Sequence, residues 1–159
     1  VNDPTAPTPP PRIPPRWFIV TAWAVHRALY RVTGGRKGLR RPRPGVYGMM
    51  RLHTVGRRTG RARVAIVADV EDGADIVTMA MNGWGEPPPA WWINLQAHPV
   101  ATIDLPGGSR AVRASEATGA ERERLWAVFQ AHEKDADLDA LARMRGAPTP
   151  LVVLRSAER

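Results

Sequence analysis

The sequence contains no cysteine. That absence excludes disulfides, thiolate zinc sites and cysteine nucleophiles together, and it is compatible with a reducing compartment. Long apolar runs are missing too. The most apolar stretch, within residues 16–33, is interrupted by His26, Arg27 and Arg31, whereas a spanning helix needs about 20 predominantly apolar residues. Lysine is almost absent: Lys37 and Lys134 are the only two among 23 basic residues. Acid is missing from one half. Residues 1–63 contain Asp3 alone against fourteen Lys/Arg, a net of +13, while residues 64–159 carry a net of −5. The histidines, His26, His53, His98 and His132, are scattered without ligand spacing, so no metal site is expected. His53 and His132 are potential proton donors, but neither has a carboxylate partner at a fixed spacing, and a structural role is expected for each.

What is present points to one domain with a core: 159 residues, 43% hydrophobic. The arginine, alanine, glycine and proline bias reflects in part a GC-rich genome. Base composition does not segregate charge by half, however, so the basic half points to an anionic partner: phosphate, anionic lipid or nucleic acid. Seven prolines in residues 1–15 predict an extended or disordered tail. Residues 16–33 show helical spacing through Phe18, Ala22, Val25, Leu29 and Val32. With the linker to residue 44 they form an amphipathic basic segment that either packs on the domain or lies on a membrane surface. No cleavable signal peptide is expected, because a proline-rich lead stands where a basic one is usual. The expected location is cytoplasmic, with a peripheral position at the inner face of the membrane as an extension of it.

From residue 45 the pattern turns to strands. Val46–Val55, Ala62–Val70, Asp75–Met81, Val100–Leu105, Arg110–Ser115 and Leu151–Leu154 read as six strands. Short helices are expected over Pro88–Ala97, from the Thr118/Glu121 capping box to about Glu133, and around Asp137–Met144. Six short strands interrupted by helices predict a mainly β barrel with helical crossings (α+β), not a doubly wound sheet.

Two segments carry candidate chemistry. In Leu52–Arg63, Gly56 and Gly60 permit positive φ and a close approach of backbone N–H groups to an anion. Arg57, Arg58, Arg61 and Arg63 add guanidinium forks suited to phosphate. The bland alternative is a solvated, charged turn. Arg61 and Arg63 alternate onto one strand face, so at least one can point into a pocket. No P-loop or dinucleotide fingerprint is present. In Met81–Leu95 a strand leads through a Gly-containing loop into a helix start whose free N–H groups suit an anionic group. Ala90 beside Trp91 can form a flat wall for an aromatic ring, or Trp91 and Trp92 are simply core.

Together these segments resemble the deazaflavin-dependent nitroreductase family. The matches are Leu52, Thr54, Gly56, Arg57, Thr59, Gly60 and Arg63, then Pro89, Trp91, Asn94 and Leu95, continued by Ala97 and Pro99. The resemblance covers roughly residues 26–154. It implies a split β-barrel of the FMN-binding type that binds coenzyme F420 and passes its hydride to a small-molecule acceptor: a quinone, an enone or a nitro compound. No side chain is then an obligatory catalyst. Carried over residue by residue, Arg57, Arg58 and Arg63 would hold the phosphate or tail, with Arg61 as a reserve and Thr59 and Gly60 shaping the turn. Ala65, Ile66 and Val67 would line the ring. Met81, Asn82, Ala90, Trp91 and Asn94 would complete the pocket. This chain departs from the family where Met81 replaces a small or hydroxyl residue, Asn82 a lysine and Trp84 a glycine. It also has no tyrosine after Tyr47, which argues against nitroimidazole reduction. FMN is a less favoured cofactor. A carrier of a deazaflavin, flavin or fatty acid is the non-enzymatic alternative. Nucleic acid is not an expected partner, because Tyr47 is the only aromatic residue in 36–63.

Overall fold

Along β1, Gly48–Val55, every second residue is buried: Gly48, Met50, Leu52 and Thr54. A strand with this pattern has one face for a core and one for solvent. The computed structural model describes residues 38–83, 87–133 and 136–157, and β1 is the strand around which it is built. β1 pairs antiparallel with β2, Ala62–Asp72, and with β4, Val100–Leu105. β2 pairs with β3, Asp75–Met79; β3 with β6, Leu151–Ser156; and β6 with β5, Gly108–Glu116, which returns to β4. The result is a closed barrel in the order β1-β2-β3-β6-β5-β4, which leaves no open sheet edge. The expected six-stranded barrel is the fold that forms.

Register decides what faces inward. Met50 lies opposite Val67 and Leu52 opposite Ala65, and opposed residues share a face. Met50, Leu52, Val67, Ile76, Ile103, Val112, Val152 and Leu154 make the barrel interior. Each fully buried aliphatic side chain stabilises the fold by about 1.5–3 kcal/mol. The other face of β2, β3 and β6 carries Val70, Val77, Leu151 and Val153, which pack with Leu125, Phe129 and Leu138. Those last three come from α2, Gly119–His132, and α3, Leu138–Arg143. The preceding helix α1, Ala90–Ala97, places Trp92 and Leu95 in the interior cluster. Trp92 is therefore a core residue.

Several boundaries differ from those expected. Residues 43–46 form a tight turn with reciprocal backbone bonds between Arg43 and Val46, so β1 starts only at Gly48. β3 ends at Met79, because Arg145 and Thr149 close against its end: Arg145 Nη1 donates to the Ala80 carbonyl and to Thr149 Oγ1, both at 3.1 Å. Thr118 does precede α2, but its side chain makes no cap hydrogen bond. Its expected box partner, Glu121, reaches Arg155 instead. A charged partner 34 residues away outcompetes a neutral local one. Asp137 is a working cap, accepting from the Asp139 and Ala140 N–H groups. The expected tail and helix of residues 1–33 and the Trp84 position lie outside the described residues. Among the described residues no helix is long and apolar enough to cross a membrane.

Candidate functional site

The barrel has two unlike ends. At one, β1 finishes and β2 begins, and Thr54 pairs in register with Arg63. Here the β1–β2 hairpin tip, the start of α1 and Asn82 enclose a cavity of about 420 Å³. Its lining includes Thr54, Gly56, Arg57, Arg58, Thr59, Arg63, Val64, Ala65, Asn82, Pro89, Ala90, Trp91 and Asn94.

The hairpin tip is held by its own backbone. Thr59 and Gly60 N–H groups donate to the Gly56 carbonyl at 3.2 and 2.8 Å, and Gly56 N–H donates to the Arg61 carbonyl at 2.8 Å. Gly60 adopts φ +63°, a left-handed conformation that favours glycine. Gly56 is required for space, not for its φ: a Cβ there would meet Thr59 Oγ1 at 3.1 Å and the Arg61 carbonyl at 3.2 Å. The sequence suggested a cradle of backbone N–H groups. Instead the Gly56, Thr59 and Gly60 N–H groups bond within the tip, which leaves the guanidinium groups as its charged donors. Arg57, Arg58 and Arg63 are exposed and line the cavity. Among the described residues none of the three pairs with a carboxylate. Arginine stays charged at any ordinary pH, so among the described residues this mouth carries positive charge without an acidic partner.

The opposite wall is α1. Pro89 sits before its first turn with φ −64° and ψ 144°, the geometry proline supplies. Ala90 and Trp91 present a small and a flat side chain to the cavity. Asn82 Nδ2 donates to the Pro87 carbonyl at 2.9 Å. The buried Asn94 joins the two walls: its Oδ1 accepts from Arg57 N–H at 3.1 Å and its Nδ2 donates to Thr54 Oγ1 at 3.2 Å.

Of the fourteen residues singled out from the sequence, Arg57, Arg58, Thr59, Arg63, Ala65, Asn82, Ala90, Trp91 and Asn94 come together here. Five do not line the cavity. Gly60 shapes the turn from outside. Arg61 precedes β2, which starts at Ala62, so strand alternation does not govern where its side chain goes. Ile66 and Val67 are buried deeper along β2. Met81 follows the end of β3 and folds back on it, its N–H donating to the Met79 carbonyl at 3.1 Å. Thr54, Gly56, Val64 and Pro89 were not among the fourteen. Three of them lie in the two motifs, and Val64 follows from its register opposite His53.

His53 does have a carboxylate partner. Its Nε2 lies 2.8 Å from Asp104 Oδ2, which also accepts from Arg51 Nε at 2.8 Å, while Ser109 Oγ donates to Oδ1. These hydrogen bonds and neighbouring charges hold the Asp104 carboxyl below the usual carboxylate range against its partial burial. The group lies on the outer face of β1 and β4, and none of its residues lines the cavity, although Val64, the register partner of His53, does. Among the described residues no group of three His, Cys, Asp or Glu is placed to hold a metal.

Comparison with known proteins meets this geometry. A model of the "F420H(2)-dependent quinone reductase" family matches residues 23–155. A protein of Mycobacterium tuberculosis assigned by name to the F420H(2)-dependent quinone reductases is 28% identical over 118 residues, covering 74% of this chain and 94% of its own. Among solved structures, an F420-H2 dependent reductase, FDR-A, superposes with a TM-score of 0.57 at 21% identity, over 74% of this chain and all of its own. A chain described as a domain-swapped dimer gives 0.60 at 21% identity, over 86% of this chain and 99% of its own. At that identity the two structures speak for the fold. The family match spans most of the chain and both site motifs, so this chain belongs to the F420H(2)-dependent quinone reductase family and is an oxidoreductase that uses coenzyme F420.

Proposed function

We propose that the cavity at the hairpin end of the barrel binds coenzyme F420, and that the acceptor reduced there is a quinone-type small molecule. The observation that carries this reading is the pairing of unlike walls: three arginines with no carboxylate partner among the described residues face an apolar helix start across about 420 Å³. The cofactor has the same polarity, a flat ring at one end and a phosphate and acidic tail at the other. The residues present fit it. Arg57, Arg58 and Arg63 take the phosphate, forming charge-assisted and in part bidentate bonds. Ala90, Trp91, Val64 and Ala65 take the ring.

When bound, the reduced deazaflavin supplies the hydride. The protein's part is placement. The hairpin arginines neutralise the phosphate and fix the cofactor's long axis. Trp91, half-buried on α1, bounds the ring plane. Val64 and Ala65 add apolar surface to the cavity wall, which suits an apolar acceptor. The family description favours a quinone over the enone and nitro alternatives, and a flat apolar wall suits a flat apolar acceptor.

Fluorescence titration of the protein with F420, and with FMN in parallel, tests the cofactor assignment. Stopped-flow oxidation of the bound reduced cofactor by menadione, an enone and a nitroimidazole tests the acceptor. We expect tight F420 binding, little FMN binding and fastest oxidation by the quinone. Turnover confined to the nitroimidazole or the enone overturns the quinone assignment; FMN binding tighter than F420 overturns the site assignment.

A further inference from the structure

We propose that Asn94 is a positioning residue that aims the hairpin arginines, and that it acts through Arg57 and Thr54 without binding the cofactor directly. The inference rests on the reading of the pocket given above. Asn94 is 7% exposed and Thr54 4% exposed. The Asn94 side chain grips the end of β1 and the tip that follows it. It holds Arg57 directly, through the backbone N–H at 3.1 Å. It reaches Arg63 through Thr54, to which it donates at 3.2 Å and which is the register partner of Arg63. One amide thus connects the wall that meets the ring to the arginines that meet the phosphate.

The donor accounting makes the connection matter. Gly56, Thr59, Gly60 and Arg61 N–H groups are all used within the tip. The Arg57 N–H is used by Asn94. Of the tip's backbone donors only the Arg58 N–H is left over, so the guanidinium groups are the main donors an anion meets there, and their direction follows from the backbone that carries them. A buried N–H and hydroxyl that lose their common partner carry a desolvation cost. The tip relieves that cost by turning them toward water, and the arginines move with it.

Two measurements test this. In the cofactor-free protein, amide hydrogen exchange at Arg57 reports the tie itself. Asn94→Ala should speed it by at least about tenfold, one decade of the opening equilibrium. Asn94→Asp should retain the protection, since a carboxylate oxygen accepts from Arg57 N–H and Thr54 can donate to the other. Should Asn94→Ala fail to fold, Asn94→Ser, too short to span the gap, takes its place. The second measurement is a double-mutant cycle on F420 affinity. Asn94→Ala should weaken binding about tenfold or more, and adding it to the double variant Arg57→Ala, Arg63→Ala should cost no more than about a further twofold. Effects that multiply would mean that Asn94 contacts the cofactor independently, and unchanged Arg57 protection in Asn94→Ala would mean that no tie exists. Either overturns the inference while leaving the pocket assignment intact. Failure of the native protein to bind F420 overturns the pocket assignment, and this inference with it.

Discussion

At the hairpin end of the barrel, charge without a partner is positive and faces solvent. At the far end it is negative and faces inward. Asp69 lies opposite Gly48 in register, is 0% exposed, and neither carboxylate oxygen has a hydrogen-bond partner among the described residues. Elsewhere on the surface some arginines are matched: Arg124 forms a two-pronged pair with Asp72, and Arg155 meets Asp75 and Glu121. The contrast separates two uses of an unmatched charge. A solvated arginine keeps its hydration until an anion arrives, so leaving it unpaired costs little. A buried carboxylate has no water to lose to and responds by holding its proton. Burial, with the nearby Glu71, pushes the Asp69 carboxyl up to about 7. The first arrangement is a binding site; the second is a pH-dependent weakness in the fold.

The sharpest way to break this comparison is at the hairpin. A charged hydrogen bond contributes about 1.5–3 kcal/mol. Removing both partners in Arg57→Ala, Arg63→Ala should therefore raise the dissociation constant for F420 by roughly 10²–10⁴-fold, with the melting temperature nearly unchanged. Titration with F420 under identical salt gives the answer. An unchanged constant would mean that these arginines are only a solvated turn. Arg124→Ala, which breaks a matched pair on the far side of the barrel, is the control and should leave cofactor affinity unaltered.

Asp69 comes next. Its folded value of about 7 lies above the unfolded carboxylate value of about 3.9, so the folded protein binds this proton more tightly than the unfolded chain. The sign follows: stability is fullest below about pH 4, declines as the pH rises to about 7, and is level above that. The span corresponds to at most about 4 kcal/mol. Asp72 and Asp104 shift the other way, so their contributions are lost only at more acid pH. Asp69→Asn should raise unfolding free energy at pH 8 by about 2–4 kcal/mol and flatten its decline between pH 5 and 7. Urea denaturation at the two pH values measures both. Equal stability of the two proteins at pH 8 would show that Asp69 has found a counter-charge.

The same end offers a steric test. A Cβ on Gly48 would lie within van der Waals overlap of all three Asp69 carboxyl atoms, the nearest inside 2.5 Å. Gly48→Ala should destabilise by about 1–3 kcal/mol, the usual range for overpacking. Asp69→Ala should remove most of that penalty in the double variant. Additive losses would place the strain in the backbone instead.

How much of this could be read from the sequence depends on the range of the interaction. The second strand followed from alternation, because period 2 is local and Val64, Ile66 and Ala68 alternate with Ala65, Val67 and Asp69. The hairpin and the α1 start followed from motif resemblance. Interactions set by tertiary register did not. His53 looked unpartnered because Asp104 is 51 residues away and becomes a neighbour only when β4 closes on β1. The Thr118 box failed because Arg155 is brought to Glu121 by the fold. Asn94 was recognisable as a pocket residue, but its tie to Arg57 requires knowing that α1 lies against the hairpin. Asp69 was unremarkable until its register placed it inside.

The smallest expected effect is also the one that separates motif from geometry. Arg61 sits in the motif with the same charge as its neighbours, and alternation counted from Arg63 would turn it toward the same pocket. In the structure it stands before β2, is exposed and does not line the cavity. Its influence on an anion in the pocket is then Coulombic through water. Such an interaction is screened over about 8 Å at physiological ionic strength, and exposed charges at this range contribute about 0.2–1 kcal/mol. Arg61→Ala should weaken F420 binding no more than about twofold to fivefold, and the difference should vanish as salt is raised. Arg63→Ala, two residues on, should retain a loss of tenfold or more at the same salt, because a direct hydrogen-bonded contact is desolvated and less screened. Titrations of both variants across an ionic-strength series give two slopes to compare. Parallel curves of equal size would show that the whole basic turn acts as a diffuse field, and that the contrast between lining and non-lining arginines has no energetic meaning.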